Sequence, residues 1–185
     1  MLMASPSSAR SPYPSQTITR KGFIVSKVYN VLFLCTANSA RSVLSEGLLN
    51  VLGKGRFMAF SAGSQPSGTV SPHAIELLQQ IGYDTSALHS KSWEVFDQPD
   101  APAMDIVITV CDNAKGETCP IWPGHPITAH WGYEDPQTAS DEEKHAAFTR
   151  VLLQIKQRIE LLVSLPEDKI AHLASIHAIG EHKVD

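Results

Sequence analysis

Apolar positions fall into two kinds of run along this chain. Residues 30–35 (NVLFLC), Arg56–Ala62 (RFMAFSA), Met104–Val110 (MDIVITV) and Ile127–Trp131 (ITAHW) are short, dense and rich in β-branched or aromatic residues. They predict four buried strands. Elsewhere the apolar residues recur three and four apart, which predicts helices. One helix spans roughly residues 40–54 and stops at Gly53-Lys54-Gly55; a second carries Ala74, Leu77, Leu78 and Ile81 and stops at Gly82. The last and longest carries Val151, Ile155, Ile159 and Leu162 until Pro166 breaks it. Ser71-Pro72 reads as an N-cap and first helical residue. Ser140 with Glu143 reads as a capping box. Ser92–Phe96 predicts a short extra helix.

Strands alternating with helices predict an α/β fold, a three-layer α/β/α arrangement with a parallel sheet. Such sheets bind ligands at the C-terminal ends of their strands, near a switch in strand order. Cys35 and Cys111 both end predicted strands, so the topology brings them near one another.

The first of these ends carries the strongest chemical signal. Cys35-Thr36-Ala37-Asn38-Ser39-Ala40-Arg41-Ser42 joins a buried strand to a helix through small residues. Asn38 tolerates positive φ where such a loop must turn. The loop's N–H groups and the first helical turn form an anion site, and Arg41 adds a two-pronged fork for a tetrahedral oxyanion. Cys35 beneath that anion is expected to ionise toward a thiolate and act as nucleophile. The plainer reading is a core cysteine ending a strand, with Arg41 on a helix surface.

Two further signals follow. Cys111 and Cys119 bracket a seven-residue, Gly-containing loop. They read as a redox relay that resolves an adduct on Cys35. A zinc site from Cys111, Cys119, His125 and His130 is the rival, with spacings longer than usual zinc pairs; no metal is assigned. Asp135, in Glu134-Asp135-Pro136, could swing over the bound anion and protonate a departing oxygen. Alone, Asp-Pro is a common turn signal. A nucleotide loop at Gly47 and Gly53-Lys54 fails on spacing and on Gly55.

Composition narrows the setting. The chain has 185 residues, 43% of them apolar, enough for one domain with a real core. Its net charge of −4 implies no nucleic-acid partner. No apolar run approaches the ~18 residues of a membrane span. Three cysteines argue against a disulfide scaffold and for a reducing, cytoplasmic setting. Residues 1–28 are rich in Ser and Pro and hold no acidic residue, which predicts a disordered extension. A transit peptide is one reading of it; a tail from an upstream start is preferred. Residues 29–165 form the predicted domain. Residues 166–185 form a tail with a short helix at Ile170–Ile179, and His172, His177 and His182 on its surface.

Taken together, the Cys35–Ser42 loop, Glu46, Ser61-Ala62-Gly63, the Cys111/Cys119 pair and HWGYEDP at 130–136 resemble the arsenate reductases of the low-molecular-weight protein tyrosine phosphatase-like family. The resemblance covers about residues 30–165. It implies a four-stranded parallel sheet in the order 2-1-3-4. It implies that arsenate, with phosphate and sulfate as competing anions, is held by Thr36, Ala37, Asn38, Ser39, Ala40, Arg41 and Ser42. Thr36 and Ser42 would hydrogen-bond the Cys35 thiolate. Cys35 would attack arsenic, Asp135 protonate the leaving oxygen, and Cys111 then Cys119 resolve the adduct. Thioredoxin, or glutathione with glutaredoxin, would restore the thiols. Some relatives bind potassium beside the loop; Asn38, Glu46 and Ser61 match that site, and the Lys91 ammonium could replace the ion. The alternative is a tyrosine phosphatase working through a Cys35 phosphocysteine. That branch carries a tyrosine just after Asp-Pro, where this chain has Gln137. A non-catalytic anion or redox sensor is a third reading.

Overall fold

The computed structural model describes residues 26–112 and 122–184. Four strands, β1 (Tyr29–Cys35), β2 (Phe57–Gly63), β3 (Ile106–Thr109) and β4 (Ile127–His130), form one parallel sheet. Their order is 2-1-3-4, as expected. All seven residues of β1 are buried, which suits a central strand. Its register sets Cys35 beside Gly63 on β2 and Leu34 beside Thr109 on β3. Cys111 therefore follows β3 at the same sheet end as Cys35.

Side chains alternate between the two faces of β1. Val31, Phe33 and Cys35 enter the larger core, with α1 (Arg41–Leu52), α2 (Pro72–Gln80) and α3 (Lys144–Ser164). Leu32 and Leu34 enter a smaller core with Phe96, Met104 and Trp122. Part of that face is covered by a 3-10 turn at Trp93–Phe96, whose first N–H groups Ser92 caps by accepting from Glu94 N at 3.2 Å.

Two helix starts differ from expectation. Ser71 and Pro72 hold the N-cap and first helical positions of α2, as expected, but the Ser71 hydroxyl makes no capping hydrogen bond; its backbone N–H donates to Ser39 O at 2.9 Å. Ser140 and Glu143 form a turn before α3, with Glu143 N donating to Ser140 O at 3.0 Å. The Ser140 hydroxyl then meets the Glu143 carboxylate at 3.1 Å, so neither side chain caps a backbone N–H. The helix begins at Lys144.

The C-terminal segment is packed. A single turn, α4 (Glu167–Ile170), leads to α5 (Leu173–Glu181). Ile170, Ile176 and Ile179 join the larger core, and Trp131 Nε1 donates to Ile176 O at 3.1 Å. At Gly180 a Cβ would stand 2.5 Å from His130 O, so α5 lies on β4 at a distance that only glycine permits. Arg56 closes the far end of α3, donating to the carbonyls of Val163 and Leu165 at 2.8 and 2.9 Å. No helix among the described residues is long and apolar enough to cross a membrane.

Candidate active site

Residues 35–42 wrap from β1 into α1. Asn38 sits at φ 47°, the left-handed turn expected of it. The loop's carbonyls point outward into residues 64–71. Ser64, Gln65, Ser67 and Ser71 donate their N–H groups to the carbonyls of Cys35, Thr36, Ala37 and Ser39 at 2.9–3.3 Å. A trans peptide sets N–H opposite C=O. The amides that follow those carbonyls therefore face the interior of the loop. Asn38 N shows this directly, donating to Cys35 Sγ at 3.1 Å. Ser64–Val70 read as a plain polar loop in the sequence; its N–H groups are the brace that turns this nest inward.

Gly63 makes the brace possible. A Cβ there would lie 2.3 Å from Thr36 O and 3.0 Å from Asn38 N. The β2 backbone thus approaches the loop more closely than any side chain allows.

Cys35 is buried and shares a hydrogen bond with the Ser42 hydroxyl at 2.9 Å. Burial pushes its thiol above the ordinary value, while Ser42 and Asn38 pull it back down. The net direction is upward, opposite to the expected thiolate. Desolvation outweighs the two donors, because the charged form loses water that the loop only partly replaces. Cys111 is also buried, and its sulfur lies 3.8 Å from Thr36 Oγ1. The charge of Cys111 counts among the influences that raise Cys35, as two neighbouring acids require. Cys35 is a free thiol. Cys119 lies outside the described residues.

Arg41 leaves the first position of α1 and crosses to the loop after β4. Its Nη2 donates to Asp135 Oδ2 at 3.0 Å and its Nη1 to Tyr133 O at 3.2 Å. Asp135 also accepts from Gln137 N at 3.0 Å, capping a 3-10 turn at Pro136–Thr138. The turn and the candidate acid are therefore one structure. Gln137 Nε2 donates to Ser39 Oγ at 2.7 Å, which ties this loop to the anion loop. Arg158, buried on α3, donates to Gly132 O at 3.0 Å and lies 4.8 Å over the Tyr133 ring. Nothing in the helical stripe of α3 singled out that arginine.

On the other flank, the buried Asn38 side chain donates to Ser42 Oγ at 2.9 Å and Ser61 Oγ at 3.0 Å, and accepts from Lys91 N at 2.8 Å. Ser61 donates in turn to the Glu46 carboxylate. The Lys91 ammonium lies 3.9 Å from Glu46. Burial pushes the Glu46 carboxyl up; Lys91, Ser61 and Tyr83 oppose this. Asn38, Glu46 and Ser61 are thus brought together, as the resemblance implied. The Lys91 ammonium supplies the positive charge that a potassium ion would bring beside Glu46, while the Asn38 oxygen accepts from Lys91 N and Ser61 donates to Glu46.

His130, one of the residues weighed for zinc, meets Thr109 Oγ1 through Nδ1 at 2.8 Å and Asp112 Oδ1 through Nε2 at 3.0 Å. Both its nitrogens are engaged, and they brace the residue after Cys111.

Residues 30–173 match the family described as low molecular weight phosphotyrosine protein phosphatase. The chain belongs to this family. Within it, the chain is 37% identical to an arsenate reductase of Halalkalibacterium halodurans over 132 residues, 70% of this chain and 91% of that one. A solved arsenate reductase in a phosphate-binding state superposes with a TM-score of 0.60 at 34% identity, covering 74% of this chain and 98% of the other. A thioredoxin-dependent arsenate reductase of Corynebacterium glutamicum gives 0.53 at 27% identity, covering 74% and 61%. The family member described here thus shares its fold with these reductases.

Proposed function

We propose that this protein reduces arsenate to arsenite through a relay of its cysteines. The observation that carries this reading is the placement of Cys35 and Cys111 at the ends of adjacent strands, both against the anion loop. The family's phosphatase chemistry gives Cys111 no task; a reductase requires it.

Arsenate enters the nest of amides and takes the Arg41 fork. The Cys35 sulfur bonds to arsenic, and its proton together with an arsenate oxygen leaves as water. Arg41 exchanges Asp135 for the anion, and Asp135 then lies free to pass the Cys35 proton on to the leaving oxygen, so that the one proton the departing water needs comes from the thiol. The Cys111 sulfur attacks the Cys35 sulfur, and its proton passes to an arsenic-bound oxygen. The sulfur–arsenic electron pair passes to arsenic, arsenite departs, and a Cys35–Cys111 disulfide remains. Cys119 attacks Cys111, Cys35 leaves as thiolate, and a Cys111–Cys119 disulfide awaits an external dithiol. Thioredoxin is the favoured reductant, since a structural neighbour is described as thioredoxin-dependent; glutathione with glutaredoxin is the alternative. Lys91 takes the place of potassium, so turnover is expected to be the same in potassium and sodium salts.

The test is arsenite formation with each reductant supplied separately. Cys35→Ser is expected to abolish it. Cys111→Ser and Cys119→Ser are expected to stop after one turnover at most. Normal cycling by either of these two variants would sink the relay. Efficient hydrolysis of a phosphotyrosine peptide with little arsenate turnover would instead support a phosphocysteine mechanism at Cys35.

A further inference from the structure

Outside the Cys35 site, the described residues hold one cluster with the composition of a transition-metal centre. His73 and Glu76 stand three positions apart on α2 and share a face. His145, the second residue of α3, faces them. The nearest donor atoms of the three lie within 4.8 Å of one another. Two imidazoles and one carboxylate are a recurrent zinc ligand set, with water as the fourth ligand.

The cluster is partly preset. The His73 ring packs on Phe148 with centroids 5.2 Å apart, and meets His145 edge-on at 6.5 Å. Among the described residues no hydrogen bond engages a ring nitrogen of either histidine. Metal bonds of ~2.0–2.1 Å at the tetrahedral angle place donors about 3.3 Å apart. The present spread is wider by about 1.5 Å at most. Glu76 and His145 are exposed, so side-chain rotation alone can close it.

We propose that His73, Glu76 and His145 bind a single divalent cation of the zinc class and clasp α2 to α3. The clasp stands beside the active site. Pro72, His73 and Lys144 line a cleft of about 540 Å³ together with Ala37 and Ser39 of the anion loop and Gln137. A bound ion ties the α2 wall of that cleft to its α3 wall. The site uses none of the cysteines, which separates it from the zinc reading of Cys111, Cys119, His125 and His130.

Cobalt(II) is the probe, because its spectrum distinguishes nitrogen and oxygen ligands from sulfur. The full chain, with thiols reduced, is titrated while absorbance and thermal midpoint are followed. At about 0.1 mM cobalt the midpoint is expected to rise by several degrees, with visible bands and no near-ultraviolet sulfur band. His73→Ala and His145→Ala are expected to lose the rise, whereas Cys111→Ser and Cys119→Ser keep it. Each variant's metal-free midpoint reports its folding. The isosteric Glu76→Gln variant is expected to bind on the order of tenfold more weakly. No rise in the parent chain, a rise that survives both histidine variants, or binding accounted for by sulfur ligation would each overturn the site.

Discussion

The two flanks of the anion loop are built on opposite principles. On the Asn38 flank the centre is sealed: Asn38, Ser42 and Ser61 are inaccessible to solvent, and Asn38 donates to both hydroxyls. On the Arg41 flank the contacts are half-open. The Asp135 side chain is 35% exposed, and its partner Arg41 15%. A buried network with every member bonded holds one shape, because any rearrangement orphans a donor in a low dielectric. An exposed ion pair contributes little to stability and can exchange partners. The first flank shapes the nest. In the proposed mechanism the second hands Arg41 to the anion and releases Asp135 toward the chemistry. Ordered by their effect on stability, substitutions at four positions probe this division.

Asn38→Ala is expected to be the most damaging. It leaves Lys91 N unsatisfied, removes the donors to Ser42 and Ser61, and forces a Cβ residue without a local hydrogen bond into the left-handed region. These losses sum to about 3–5 kcal/mol, read from denaturant midpoints. Asn38→Gly keeps the backbone and loses the bonds, so the difference between the two variants isolates the cost of the turn. Gly63→Ala comes next. Its Cβ meets the Thr36 carbonyl at 2.3 Å, and a backbone atom must move. About 1–3 kcal/mol is expected from overpacking. Because the displaced atom belongs to the nest, kcat/KM is expected to fall about 100-fold as well.

Lys91→Met tests the charge behind the sealed flank. Burial sets the Glu46 carboxyl above its ordinary value, so the folded chain holds that proton more tightly than the unfolded one. The stability this group contributes is full below the ordinary carboxylate range and is lost as pH rises through the raised value. Lys91 limits the loss by favouring the charged form. Without it the carboxyl moves further up. The variant is expected to match the parent near about pH 4 and to fall behind by about 1–2 kcal/mol at neutral pH. Partial rescue by added potassium, absent in the parent, would identify the ammonium as the resident cation. Equal pH profiles for variant and parent would show that Lys91 carries no such role.

How much of this was legible in the sequence follows the same division. The loop was readable because strand, small residues, Arg41 and helix are contiguous. Asn38 could be assigned its positive φ from residue type alone. The sheet order came with the family resemblance. The brace from residues 64–71 was not readable, since it acts through backbone N–H groups that any residue supplies. Ser71 stands at the N-cap of α2 as its proline neighbour signalled, but that its hydroxyl makes no capping bond and its N–H joins the brace on Ser39 was not readable. The direction of the Cys35 shift was missed because donors are visible in a motif, whereas the depth of burial is set by α1, α2 and β3 together. The C-terminal residues lacked a long periodic stripe, so their packing was invisible until Gly180 was seen against β4.

Asp135→Asn is expected to have the smallest effect on stability and to be the most informative about chemistry. The residue has two engagements. It caps the turn at Pro136–Thr138 through Gln137 N, and it pairs with Arg41. Asparagine keeps an oxygen for the cap and loses the charge and the acidic proton. A partly exposed pair contributes less than about 1 kcal/mol, so the unfolding midpoint should barely move. If Asp135 is only a turn residue, turnover should be equally unmoved. If it protonates the departing oxygen, kcat for arsenate should fall about 100- to 1,000-fold, within the range usual for a lost general acid. An intact cap makes the two readings separable in one variant, because fold and chemistry then respond in different measurements. Retained turnover alongside an unchanged midpoint would return Asp135 to the role of a turn and leave Arg41 as that flank's sole contribution to the anion.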